Sequence, residues 1–351
     1  MKKIFLFFMV LLTGCTITQS HDLTNDLNFI YHQILENHPG IHNDRDPSFK
    51  QHMDAQYSIA HEQLSKNYYL DLHQEIIKDF CKSFNDSHLW VNYPEKTPVS
   101  KIPKTHRCFS IENIEPKIAW ITLPTFDFDT THEKEFASVL SNMAPLRTNH
   151  TIVFDIRGNQ GGNSHFATQI IESLFGEDYT QQQQTLATKD QSVDWAISPD
   201  NVSHVKSLSQ RLKLKWIEQV SKCMEECLTS HQKYYHKTNS PIEPSSTFTH
   251  NVSSKIIVII DGCNVSAALD FIDTLKMMNY PITLIGQTTK ADRLYMEVRT
   301  INLPSKLGTF SFPIKVYRNR PRKDNEPHKP DIECDTTNTD SLKALILSIK
   351  N

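Results

Sequence analysis

The stretch "DGCNVSAALDF" (Asp261–Phe271) follows a β-branched run, "KIIVII" (Lys255–Ile260). The run predicts a strand. The residues from Ser266 on, "SAALDFIDTLKMMN", carry helical periodicity. The order is therefore strand, tight turn, helix, with Ser266 at the helix start. Two roles fit that place. A serine oxygen can cap the first amides of a helix. The same turn also exposes a side chain and aims free N–H groups at whatever lies beside it. There a serine can attack a carbonyl while the N–H of Ala267 helps hold the oxyanion. The small Ala267 and Ala268 permit close approach. The local pattern leaves both roles open, so the rest of the chain must choose.

A second unit of the same kind lies upstream. "HTIVFDI" (150–156) is a short apolar strand, "RGNQGGNS" a turn and "SHFATQIIESLF" (164–175) a helix. With only 9 glycines in 351 residues, the pair Gly161–Gly162 stands out. Adjacent glycines let the backbone take positive φ and present N–H groups inward, which suits an oxyanion. No Gly-Lys-Ser/Thr follows, so the turn is not a phosphate-binding loop. Asp155 and Arg157 are placed to pair and fix it. Read alone, the turn is equally a structural one.

A third feature is "FNDSHLWV" (84–91). One histidine among 17 means little by itself. His88, between a helix end and an apolar segment, is placed to reach a cleft. Neutral imidazole is the usual base for activating serine. The plain alternative is a partly buried structural histidine.

Around these features the chain alternates strands and helices, which predicts an α/β core. Residues 22–95 read as an N-terminal helical subdomain, and 91–115 as an irregular connection with an edge strand. Residues 100–351 read as the core, interrupted by an insertion over 179–250. Within the insertion "TQQQQTLATKDQS" reads as polar connection. Residues 205–236 read as one long amphipathic helix. "KIAWITLPTF" (117–126) and "PITLIGQTT" (281–289) predict strands, and 295–318 a strand pair.

Composition excludes little but points away from nucleic acid. Hydrophobic residues make up 38%, charged residues 22%, and net charge is -3, ordinary for a globular protein with no basic footprint. No Cys-x-x-Cys occurs, so a zinc ribbon is not expected. Neither metal nor cofactor is called for.

The start, "MKKIFLFFMVLLTGC", has two lysines, a short apolar run and small residues before Cys15. That is a signal peptide over residues 1–14, too short to span a bilayer comfortably. "LLTGC" resembles the bacterial lipoprotein cleavage box. The resemblance implies lipidation of Cys15 and anchoring in the cell envelope. Thr16 after the cysteine implies the outer membrane, facing the periplasm. Export permits disulfides among Cys81, Cys108, Cys223, Cys227, Cys263 and Cys334, although Cys223 and Cys227 are awkwardly spaced on a helix.

Together the motifs resemble the S41 serine peptidases, the group of tail-specific proteases and the tricorn core. "DIRGNQGGNS" is similar to their Asp-x-Arg-x-Asn-x-Gly-Gly segment, "VSAALDF" to their Ser-Ala-x-Glu turn and "NDSH" to their Asp-x-His. "LENHPGIH", "IGQTT", "LPSKLGTFSFP" and "KPDIE" resemble further landmarks in order, so the likeness runs over about 25–335. It implies a ClpP/crotonase-like α/β fold. It also implies hydrolysis of peptide or protein substrates by Ser266, with an oxyanion hole from Gly161 or Gly162 and Ala267.

Two departures matter. The family glutamate is Leu269 here, with Asp270 one place later. Where tail-specific members carry their catalytic lysine, this chain has Asp292, with Lys290 out of register. The resemblance to the tricorn-like branch then implies His88 as base. An acid from "DNEPHKPD" would orient it, Asp324 first and Glu326 second. No room exists for a PDZ insert. Rival readings are a non-catalytic lipoprotein that binds peptide or cell-wall fragments in the same cleft, and a hydrolase of other esters or amides.

Overall fold

The computed structural model describes residues 23–66, 69–94, 107–127, 130–148, 150–238 and 247–349. The leader and Cys15 lie outside the described residues. Among the described residues eleven strands run in chain order: β1 (Trp90–Asn92), β2 (Ser110–Glu115), β3 (Ile118–Thr122), β4 (Thr151–Asp155), β5 (Ser192–Ala196), β6 (Tyr234–Thr238), β7 (Lys255–Ile260), β8 (Ile282–Gly286), β9 (Tyr295–Asn302), β10 (Thr309–Arg318) and β11 (Ile332–Glu333). The helices are α1 (Thr24–Asn37), α2 (Phe49–Ser65), α3 (Leu70–Lys82), α4 (Thr130–Ser141), α5 (Ser164–Phe175), α6 (Glu177–Ala187), α7 (Pro199–Leu212), α8 (Lys215–Thr229), α9 (Ala267–Met277) and α10 (Thr339–Ile349).

One sheet has the order β11-β8-β7-β4-β3-β2, parallel except for the β2–β3 hairpin. Parallel strands need both faces covered, so their sequences are apolar throughout. In β7, Ile256, Val258 and Ile260 face a core shared with α4, α5 and α9, while Ile257 and Ile259 pack with Leu342 and Ile346 of α10. This period-two division of one apolar run explains why "KIIVII" shows no polar alternation.

The other sheet is antiparallel, β1-β10-β5-β6, with β9 also paired to β10. Its core joins α1, α2 and α3 with Val205 and Leu208 of α7 and Ile217, Val220 and Met224 of α8. The segment 179–250 therefore builds sheet: β5 and β6 are two of its strands, and α7 and α8 share one core with the N-terminal helices.

Two elements differ from the sequence expectation. The helix expected over 205–236 is a helical hairpin followed by β6. Lys213 closes α7 in the left-handed region, at φ 53°. A lysine carries no turn signature, so the break is silent in the sequence. The polar stretch after 179 is helical as α6, held down by Tyr179, whose hydroxyl donates to the Met278 carbonyl at 2.8 Å.

A candidate serine hydrolase site

β4 and β7 are neighbours and run the same way. Both therefore release the chain at one edge of the sheet, where parallel α/β folds form their crevice. The two turns that follow are laced together. Asn264 Nδ2 donates to the carbonyls of Ile156 at 2.6 Å and Asn159 at 3.1 Å. Gly158 N donates to Asp261 Oδ2 at 2.8 Å, and Asp261 N to Asn264 Oδ1 at 2.8 Å. Buried polar side chains that are fully bonded in this way fix one geometry.

Gly161 has φ 92°, and a Cβ there would stand 2.7 Å from the Val265 carbonyl oxygen and 2.8 Å from Ser266 Cβ. Gly162 has φ 131°, and its Cβ would run into the backbone of Phe126. Both positions combine a conformation that suits glycine with no room for a side chain. Asn159 Oδ1 accepts from Gly161 N at 2.9 Å, which occupies that N–H. Among the described residues no group accepts from Gly162 N or Ala267 N. Of the expected oxyanion donors, Gly162 and Ala267 are the ones left open.

Ser266 is half-buried at φ 59° and ψ -127°, and its side chain makes no capping bond. A capping serine sits in the extended region and bonds back to the helix. This one does neither. It is a non-glycine residue held in sparsely populated backbone space, as strained functional turns are. The helix it starts is tied to its neighbour, since Ser164 Oγ at the head of α5 donates to Asp270 Oδ2 at 2.6 Å. Leu269 is fully buried, so Asp270 alone supplies a carboxylate there. Burial raises its pKa, as does the charge of Asp292.

His88 comes from the other half of the molecule. After α3 the chain turns at Asn85, φ 48°, and Asp86 Oδ1 accepts from His88 N at 2.8 Å before β1 begins. This Asx-turn sets the direction of the ring. His88 is buried, with Nδ1 3.7 Å from Asp86 Oδ1. That separation is too long for a hydrogen bond. Among the described residues neither Nδ1 nor Asp86 Oδ2 has a hydrogen-bond partner. Burial pushes the imidazole pKa down, but Asp86, Asp292 and Asp270 outweigh it and the net shift is upward. The charge of Asp270, on the first turn of α9, thus reaches His88.

The segment between β8 and β9 joins the halves. Gln287 N donates to the Ile260 carbonyl and Lys290 N to the Asn264 carbonyl, both at 3.1 Å. Lys290 itself is exposed. Asp292 is buried against Arg322, 2.5 Å away, and Arg320, 3.1 Å away. A carboxylate with two guanidiniums therefore fills the place where the resemblance would put a lysine.

Asp324 and Glu326 are engaged away from the imidazole. Asp324 accepts from Leu294 N at 2.8 Å and pairs with Arg293 at 3.3 Å. Glu326 accepts from Lys323 N at 2.9 Å. Both line a cavity of about 940 Å³ with Asp273, Lys276 and His328. The carboxylate placed against the His88 ring is Asp86. Asp86 belongs to the "NDSH" segment, and an aspartate whose side chain can accept from the N–H two residues on is the local signal that marks it. Among the described residues, no group of three or more His, Cys, Asp or Glu side chains is placed to hold a metal ion. Among the described residues no disulfide joins Cys81, Cys108, Cys223, Cys227, Cys263 or Cys334.

The model of peptidase family S41 matches residues 117–335. The chain belongs to this family. Residues upstream of 117, His88 included, lie outside that match. Mature CPAF is a similar solved structure, with a TM-score of 0.55 at 11% identity over 89% of this chain and 92% of that one. A lipoprotein from Streptococcus agalactiae gives 0.46 at 12% identity, over 92% and 95%. A peptidase described as putative from Parabacteroides merdae ATCC 43184 gives 0.48 at 12% identity, over 93% and 95%. No curated protein matches. The likeness of fold to mature CPAF, over 89% of this chain, thus takes in both sheets.

Proposed function

We propose that this S41 family member is an exported serine peptidase with Ser266 as nucleophile and His88 as general base. The observation that carries the reading is the backbone of Ser266. It is strained, its hydroxyl is uncommitted, and it stands beside two open N–H groups. In this reading Ser266 Oγ attacks the scissile carbonyl carbon and His88 takes its proton. The oxyanion forms between Gly162 N–H and Ala267 N–H. His88 then protonates the leaving amine, and water, deprotonated by the same ring, releases the acyl group. Because Nδ1 is the nitrogen nearer Asp86, Nε2 serves the serine. Asp86 holds the imidazolium, which requires its 3.7 Å gap to close when substrate arrives; catalytic bonds commonly tighten in this way. The N-terminal leader and "LLTGC" support a lipid anchor on Cys15 in the bacterial cell envelope.

Labelling with an active-site serine probe, read together with peptide hydrolysis, tests the proposal. Wild type should label and hydrolyse, and Ser266→Ala and His88→Ala should do neither. The open gap at His88 and the Arg293-bound Asp324 favour a second reading, a peptide-binding protein without turnover. A wild type that binds peptide yet never labels would establish that reading instead.

A further inference from the structure

The turn between α7 and α8 is built unlike the rest of the surface. Its sequence is "RLKLKW", Arg211 to Trp216. Lys213 takes the left-handed conformation at the end of α7, and α8 starts at Lys215. Arg211, Lys213 and Lys215 are all exposed, and among the described residues none of them makes an ion pair. The nearest acid along α8, Glu218, is neutralised by Lys222 at 2.9 Å. Across the hairpin, Glu225 is taken by Lys206 at 2.8 Å. The tip therefore keeps three uncompensated cations on a chain whose net charge is -3.

The same turn exposes large apolar groups. Trp216 is 49% accessible and Leu212 38%. Ile217 and Leu208, on the inner side of the hairpin, are buried in the core. The hairpin is thus anchored from within and leaves an indole, an isobutyl group and three cations outside. Single exposed apolar residues are ordinary. An indole among unpaired lysines, with no acid to compete, is the composition of an interfacial anchor. Trp prefers the headgroup level of a bilayer, and Lys and Arg stems lie along apolar surface while their charges reach phosphate.

We infer that the α7–α8 tip docks on an anionic phospholipid surface, with Trp216 and Leu212 entering the headgroup layer and Arg211, Lys213 and Lys215 pairing with lipid phosphates. The occupant follows from charge and exposure. The three exposed cations sit within five residues of one turn, so a plane of phosphates can meet all of them at once. Each basic residue near an anionic surface is worth about fivefold in partitioning, so three give about 100-fold. This contact is separate from the acyl anchor proposed at Cys15 and from the peptidase chemistry.

The test uses the full chain with Cys15→Ser, which removes the acylation site while leaving the same leader in every variant compared. Vesicles of phosphatidylcholine alone, and with phosphatidylglycerol, are floated with the protein. The anionic vesicles should bind it about 100-fold more strongly, and the excess should vanish in high salt. Arg211→Gln, Lys213→Asn and Lys215→Gln together should abolish the excess; asparagine tolerates the left-handed position. Brominated lipid should quench tryptophan emission in the parent and lose most of that quenching in Trp216→Phe. Peptide hydrolysis, where present, should be unchanged in all of them. Equal binding to both vesicle types overturns the inference. So does an anionic preference that survives the triple substitution, or binding to an acidic protein with none to vesicles.

Discussion

The site is assembled from two halves made on different terms. The parallel half supplies Ser266, Gly161, Gly162 and Ala267 from two adjacent turns, laced by Asn159, Asn264 and Asp261. The side chains of Asn159, Asp261 and Asn264 are bonded at both polar atoms, and a Cβ added at either glycine meets backbone. The antiparallel half supplies His88 and Asp86, and there two buried atoms, His88 Nδ1 and Asp86 Oδ2, have no hydrogen-bond partner among the described residues. One half is finished before substrate arrives and the other is not. In the proposed mechanism the nucleophile and oxyanion hole are thus set by covalent turn geometry, while the base is set by side-chain electrostatics that a ligand can complete.

Ways to break this contrast run from large effects to small. Ser266→Ala should remove turnover by about a millionfold, the scale seen when a serine nucleophile is deleted; steady-state hydrolysis reads it directly. Gly162→Ala attacks the rigid half. Collision with Phe126 together with strain at φ 131° should lower stability by about 2–5 kcal/mol, seen as a reduced midpoint in denaturant.

Asp86→Asn probes the unfinished half. The asparagine oxygen can still accept from His88 N, so the turn should hold. Turnover should fall by about 100-fold or more as the imidazolium loses its counter-charge. The pH profile separates this from a packing defect. Asp86 raises the His88 pKa, and only neutral imidazole can act as base. In wild type the rise in kcat/KM should therefore lie above the ordinary histidine pKa, and in Asp86→Asn it should move to lower pH. A profile that stays put would remove Asp86 from the mechanism. The smallest effect belongs to Asp324→Asn. Its carboxylate serves Arg293 and Leu294 N, and turnover should change by about twofold or less. A loss as deep as that of Asp86→Asn would restore the acid first aligned from sequence.

The same division governs what the sequence discloses. β4, β7 and their turns are legible because each is local. Apolar β-branched runs specify buried parallel strands, and paired glycines with a following serine specify the turns. Ser266 could be singled out, yet its choice between cap and nucleophile needed φ, which no residue type encodes. His88 was legible as a candidate through "NDSH". The carboxylate beside it was not, because Asp324 and Asp86 lie far apart in sequence and only the fold decides which faces the ring. Lys213 shows the same limit in another form. A lysine at φ 53° ends α7 without any glycine or asparagine to announce it, so a continuous amphipathic pattern hid a hairpin.

The backbone at Ser266 has a cost that outlasts any single turnover. At φ 59° and ψ -127°, every residue except glycine is strained, by about 1–3 kcal/mol. Ser266→Gly would relieve that strain while deleting the hydroxyl, so the inert protein should melt higher than the intact one. Durability and chemistry pull against each other at this one residue. A copy of the chain released from its chemical task would gain robustness by a single codon change, and a serine kept there is a standing expense that only use can justify.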